Sequence, residues 1–319
     1  MSFKSLARGA ALLCLLAALL AACLWAAERL LRPPPVPAWQ PIFRGVDYYA
    51  ETLKGEFGGS GRAMAVRVDL SAPGVRLQVR PADAPTGQGH YRLAFPDWHL
   101  ARHGLAVLIN TSAFHGEALT QGCVEGARGR PLDFRGWRGW PGRPVYATDV
   151  NIIAGAPLFV PERAHLLWFE QDLTPHFDLR PVSAARIQAL LAAPAMPRLH
   201  WGVGFPVPQL WDRQILPWYL RDEFRRDAEL KPFVGVDRGA RRLYLMAFER
   251  ASTREMLEFA RRLGVEAGGQ FDAGHTTTLL VGRGARGLPP HTGIRGLRPL
   301  AAWLGVQAEP LPEGQSAAR

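Results

Sequence analysis

KPFVGVDRGARRLYLMAFERASTREMLEFARRLGVEAGGQFDAGHTTTLLV, residues 231–281, holds the pattern that decides the fold. Residues 234–237 and 242–248 are two apolar runs around an Arg238-Gly239 turn, which predicts an antiparallel hairpin. Ser252 and Glu255 then stand three apart, the spacing of a capping box: the serine hydroxyl takes an orphan amide N–H of the first helical turn while the glutamate reaches back to the cap. Met256, Leu257, Ala260 and Leu263 share one face of that helix, and Gly264 is placed to end it. A turn through Gly268-Gly269 leads into Gln270-Phe271-Asp272-Ala273-Gly274-His275, and residues 276–281 read as a strand. Strand, strand, helix, loop, strand predicts sheet and helix packed together, with antiparallel pairing dominant.

Working outward, Met64, Val66, Val68 and Leu70 alternate with wetter positions, Ser71-Ala72-Pro73-Gly74 is a turn, and Val75, Leu77 and Val79 alternate again. This predicts a second hairpin. Residues 106–110 form a further strand, ending at Asn110. The middle, from about 127 to 231, is rich in Gly, Pro and Trp. It holds aromatic strand fragments such as 165–170 and one helix over 183–192 with Ser183 as its N-cap. No internal repeat is present. The expected fold class is α/β of the α+β type: a mixed, mainly antiparallel sheet core with a few packed helices, in a single domain over 43–306 behind an N-terminal membrane anchor. Residues 307–319 read as a flexible tail.

The N-terminus reads as an address. Lys4 and Arg8 precede AALLCLLAALLAACLWAA, residues 10–27, a run without charge. Eighteen residues rise about 27 Å as a helix, close to the hydrocarbon thickness of a bilayer. Residues 1–31 therefore read as a signal anchor, with a lipoprotein signal, in which a lipidated Cys23 becomes the mature N-terminus, as the competing reading. Residues 32–42 (RPPPVPAWQPI) are a Pro-rich spacer. Either route places the domain outside the cytoplasm against a membrane, in the periplasm or at the cell surface. Cys123 is the one cysteine beyond residue 31, so no disulfide forms within the domain. The net charge of +10 comes from 38 Lys+Arg against 28 Asp+Glu, spread along the chain without a basic block. Nucleic-acid binding is excluded because no basic helix, zinc spacing or RNA-binding aromatic signature accompanies that charge. An anionic envelope glycan, lipid headgroups or a plain solvated surface all fit it.

The same stretches resemble, in order, the motifs of the phosphodiester glycosidase family. Val68-Asp69-Leu70-Ser71-Ala72-Pro73-Gly74-Val75 is similar to the family's opening strand pair. Ile109-Asn110-Thr111-Ser112-Ala113-Phe114, followed by Gly116-Glu117-Ala118-Leu119 and Gly122, is similar to its Asn-Gly-Gly-Phe-Phe segment and the Gly-Glu-x-Leu after it. Residues 201–206 fall at a central Ser-Gly-Pro type segment, Lys231-Pro232-Phe233-Val234-Gly235 stands where the family has Arg-Thr-Ala, and residues 270–277 stand at the glycine-rich Asp-Gly-Gly-Gly signature. Two glycine clusters are thinned, Gly-Gly to Thr111-Ser112 and Gly-Gly-Gly to Ala273-Gly274-His275, which narrows the approach of a ligand to the backbone.

That resemblance implies hydrolysis of a sugar-1-phosphodiester in an envelope glycan or glycoconjugate. Such a reaction needs a carboxylate near C1 and positive or N–H groups on the phosphate. Asp272 is the expected catalytic carboxylate and Glu117 the second; capping of its own turn is the alternative role for Asp272. Asn110, Lys231, Gly274, His275 and Thr276 are the expected substrate-binding residues, with Lys231 as a point charge on phosphate where the family has a bidentate arginine. A Ser112–His115–Asp272 triad lacks a nucleophile elbow. A His115/His275/Asp272 metal site lacks supporting spacing, so no cofactor is expected. Trp137 and Trp140, between glycines, are candidates to stack on sugar. A non-catalytic protein that keeps the pocket for glycan binding or scaffolding is the alternative function.

Overall fold

The computed structural model describes Leu19 and residues 36–54, 60–81, 90–92, 95–111, 114–115, 144–147, 151–153, 156–159, 163–193, 197–205, 208–225, 227–290, 292–296, 300 and 302–312. Apart from Leu19, the hydrophobic run 10–27 lies outside them, as do all three cysteines; among the described residues no helix is long and apolar enough to cross a membrane.

Two sheets make the core, and every ladder among the described residues is antiparallel. The larger runs Val36–Phe43, Val46–Lys54, Ser60–Asp69, Arg242–Ala251, Glu229–Asp237, Ala267–Gln270, Leu210–Trp211, Gln214–Ile215. The second runs Gly293–Arg295, Thr278–Val281, Val107–Asn110, Ala302–Gln307, Arg76–Pro81. Val66, Val68, Val234, Val236, Leu243 and Leu245 from the first meet Leu77, Val79, Val107, Ile109, Leu279 and Leu304 from the second in one dry cluster. A third sheet built from Asn151–Ile153, Ala156–Phe159, Arg163–Phe169, Pro175–Phe177 and Trp201–Phe205 adds Leu167, Phe169 and Val203 to that cluster.

Helices cover the outer faces. The expected 234–248 hairpin extends over Glu229–Asp237 and Arg242–Ala251. Ser252 then caps the helix Thr253–Arg262, its hydroxyl accepting from Glu255 N–H while the Glu255 carboxylate accepts from Ser252 N–H. Met256, Leu257, Phe259 and Ala260 pack on Phe233, Met246 and Phe248 of the large sheet. Ser183 caps Ala184–Ala192, as its position predicts. Pro96–Arg102 lies on the far side of the second sheet, over Leu108, Leu280 and Trp303.

Five expectations need correction. Strands 60–69 and 76–81 exist but do not pair. Both edges of Ser60–Asp69 are already taken by Val46–Lys54 and Arg242–Ala251, and Arg76–Pro81 pairs with Ala302–Gln307. The Pro73-Gly74 turn thus carries the chain across the core from one sheet to the other. Gly268-Gly269 is part of strand Ala267–Gln270, opposite Gly235 and Val234. A side chain at Gly268 would meet the Val234 carbonyl oxygen at 2.6 Å and the Phe233 ring at 2.7 Å, so these glycines serve close strand packing. The strand expected over 276–281 begins at Thr278. At the chain ends, residues 36–42 of the expected spacer belong to the edge strand, with Ile42 in the core. Past Gln307 the chain stays docked: Glu309 accepts from Arg44 N–H at 2.9 Å, and the Pro312 carbonyl accepts from Arg286.

His99 gives the fold a pH dependence. It is fully buried against Trp303 and His103, and neither ring nitrogen has a partner. Burial first, and then the neighbouring His103, push its pKa down from 6.5 to about 3. The unfolded chain therefore binds a proton between these values that the folded chain refuses, so stability falls as the pH drops through that window and is flat above it. Urea unfolding at pH 4.5 is expected to show about 3 kcal/mol less stability from this residue than at pH 7.5. His99→Leu should flatten that part of the profile, and an unchanged profile in the variant would contradict it.

Candidate functional site

The Asp272 loop joins the two core sheets. After Gln270 leaves the large sheet, Phe271 N–H donates to the Pro232 carbonyl at 3.3 Å and its ring enters the core. Asp272 N–H donates to the Thr111 carbonyl at 3.2 Å, and at Thr278 the chain enters the second sheet beside Asn110. Asn110 is the hinge pin of this crossing. Its Nδ2 donates to the Asp272 carbonyl at 2.7 Å, and its Oδ1 accepts from Thr278 N–H at 2.8 Å. One buried amide thus holds both ends of the loop, and neither end can drift without breaking a buried hydrogen bond.

Within the loop, Thr276 Oγ1 lies 3.0 Å from the Ala273 carbonyl and 3.3 Å from that of Asp272, so its proton is spent inside the loop. Gly274 sits at φ +72° with open space where a side chain would be, which keeps the outer rim of the turn bare. His275 is exposed and Asp272 half-buried. The hydroxyls of Thr111 and Thr277, one on each side of the crossing, are buried without a partner.

The structure therefore brings Asn110, Asp272, Gly274, His275 and Thr276 together. It does not bring Lys231 to them. That side chain is fully buried on the helix-bearing face of the large sheet, where Phe233 also points. Its ammonium donates to the Asp227 carbonyl at 2.7 Å and to Glu229 at 3.0 Å, with the Asp227 carboxylate 3.3 Å away. Asp227 also accepts from Thr253 N–H and hydroxyl, so Lys231 anchors the start of the helix. Glu117, Ser112, Trp137 and Trp140 lie outside the described residues; of His115 only the backbone is described, pairing with Tyr146.

Two features escaped the sequence. Thr111, read as a lost glycine, contributes its carbonyl to hold Asp272. Asn110 was expected to bond sugar or phosphate, with a turn former at a strand end as the alternative; what the sequence did not show is that its amide bonds both ends of the Asp272 loop. Chemically, the arrangement presents a carboxylate and an imidazole three positions apart on a pinned, glycine-opened turn.

No protein-family profile and no curated protein matches the chain. Among solved structures, the catalytic domain of zebrafish N-acetylglucosamine-1-phosphodiester alpha-N-acetylglucosaminidase, auto-inhibited by its pro-peptide, superposes with a TM-score of 0.55 at 13% identity, over 85% of each chain. A hypothetical protein from Synechocystis superposes at 0.46 and 15% identity; 83% of this chain is covered but 62% of that one. The first likeness shows a shared fold with a hydrolase domain.

Proposed function

We propose that the chain is a membrane-tethered, extracytoplasmic hydrolase that cleaves the C1–O–P bond of a sugar-1-phosphodiester in an envelope glycan or glycoconjugate. The observation that carries this reading is the double clamp of Asn110 on the Asp272 loop. A catalytic carboxylate must be held within a fraction of an ångström, and a loop fixed to two sheets at once supplies that rigidity. The fold shared with a phosphodiester-cleaving domain supports it.

In the reaction, the oxygen of water ends on C1, the C1–O bond breaks, and that oxygen leaves with phosphorus as a phosphomonoester. Asp272 works at C1, either as the base that takes the water proton or as the nucleophile that water later displaces; its separation from Glu117 sets which. Phosphate leaves readily, so His275 acts on the phosphate as a donor and little acid help is needed. Asn110 and Thr276 position the loop.

The test is a panel assay on the full chain: a nucleotide-linked N-acetylglucosamine and related glycosyl phosphodiesters against p-nitrophenyl glycosides without phosphate. Free sugar and phosphomonoester should appear from the phosphodiesters, with the phosphate-free glycosides much slower. The thinned glycine clusters, Thr111-Ser112 and Ala273-Gly274-His275, favour a second reading, a glycan-binding protein without turnover. Glycan binding with no release of sugar from any substrate would establish that one instead.

A further inference from the structure

The registers of the large sheet show which end of the molecule Asp272 occupies. Val36 pairs with Ala50, Ala50 with Met64, Met64 with Ala247, and Ala247 with Pro232, whose carbonyl holds Phe271. One transverse row thus runs from the first described residue of the edge strand to the residue before Asp272. Five strand spacings separate them, roughly 24 Å. The chain from the N-terminus and the Asp272 loop therefore reach the large sheet at the same level.

Exposed aromatic and aliphatic side chains flank this end on the two outer faces of the sandwich. Arg295, opposite Thr278 at the site, pairs with Asp97 at 2.6 Å, which brings the start of helix Pro96–Arg102 here, while its far end at His103 meets Gln307 at the other end of the strand. Phe95 and Trp98, at that helix start, are each 43% exposed. On the other sheet, Leu216 N–H bonds Gln209, whose side chain holds Gln270 N–H, and the next turn, Pro217–Leu220, runs on past that level. Trp218 and Leu220 on it are 60% and 44% exposed. Both tryptophans carry a guanidinium over the ring, Arg102 at 5.0 Å and Arg221 at 4.3 Å.

We infer that this end is a docking surface for the lipid bilayer, seated through Trp98 and Trp218 with Phe95 and Leu220. The inference rests on the proposed tether. Residues 28–35, between the apolar run and Val36, reach at most roughly 29 Å even fully extended, so the row at Val36 cannot stand far from the membrane. An indole with a guanidinium above it suits the interface, apolar on one side and hydrated on the other. The local carboxylates Asp97, Asp222 and Glu223 pair with Arg295, Arg225 and Arg221, so insertion rather than headgroup charge holds the contact, and high salt leaves it in place.

The test is indole quenching in the full chain, reconstituted in phosphatidylcholine vesicles whose acyl chains carry bromine. Trp25→Phe, Trp98→Phe and Trp218→Phe are each compared with the parent chain. The expected result is that each substitution removes part of the quenchable emission, unchanged at high salt. If Trp25→Phe alone removes it, the tether is in the bilayer and the docking surface is refuted by itself. If none of the three removes any, the tether reading fails and takes the docking surface with it.

Discussion

Asp272→Asn is expected to lower kcat on a glycosyl phosphodiester by about 10²–10⁴-fold, the usual yield of a positioned acid–base or nucleophilic group. The amide keeps the carboxylate's shape but can neither take a proton nor bond to C1. The main-chain bonds that seat the loop, Asp272 N–H to Thr111 and Asn110 to the Asp272 carbonyl, do not involve the substituted atoms. The seating of the loop should therefore be kept, and KM should move little. A loss of stability with turnover reduced less than about tenfold would instead mark the carboxylate as a cap of its own turn.

Lys231→Ala is expected to destabilise the fold by about 3–5 kcal/mol, read from urea unfolding. The whole side chain is buried, so its stem leaves a cavity. The Asp227 carbonyl also loses its donor, and the clamp between strand Glu229–Asp237 and the start of helix Thr253–Arg262 opens. Lys231→Met, which keeps the stem, should cost about 1–3 kcal/mol because Asp227 and Glu229 are exposed enough to hydrate. The Met variant should bind a phosphodiester with an unchanged KM. A raised KM at constant stability would return Lys231 to the phosphate.

The elements with local signals were legible in the sequence. The Ser252–Glu255 box, the Ser183 cap and the strand along 64–68 each express a short-range rule and each appears, although Ala65, on the face expected to be wetter, is buried under the helix. Pairing was not local. The 76–81 strand lies only seven residues beyond Ser60–Asp69, yet its partner is Ala302–Gln307, because a sandwich buries both strands against the same core from opposite sides. Gly268-Gly269 misled for a related reason: glycine marks a turn and a close strand contact alike, and only the facing Gly235 and Phe233 distinguish them. At the site, the sequence located the loop and the asparagine beside it. It could not show that the asparagine's amide bonds both ends of the loop, nor that alternation sends Lys231 to the opposite face of its strand.

A crystal structure of the Asp272→Asn chain with an uncleaved glycosyl phosphodiester would bear most directly on this account. The anomeric carbon should lie about 3–3.5 Å from the residue 272 side chain, with the phosphate toward His275 and the bare rim at Gly274. Substrate seated elsewhere, with residue 272 turned into its own loop, would contradict it.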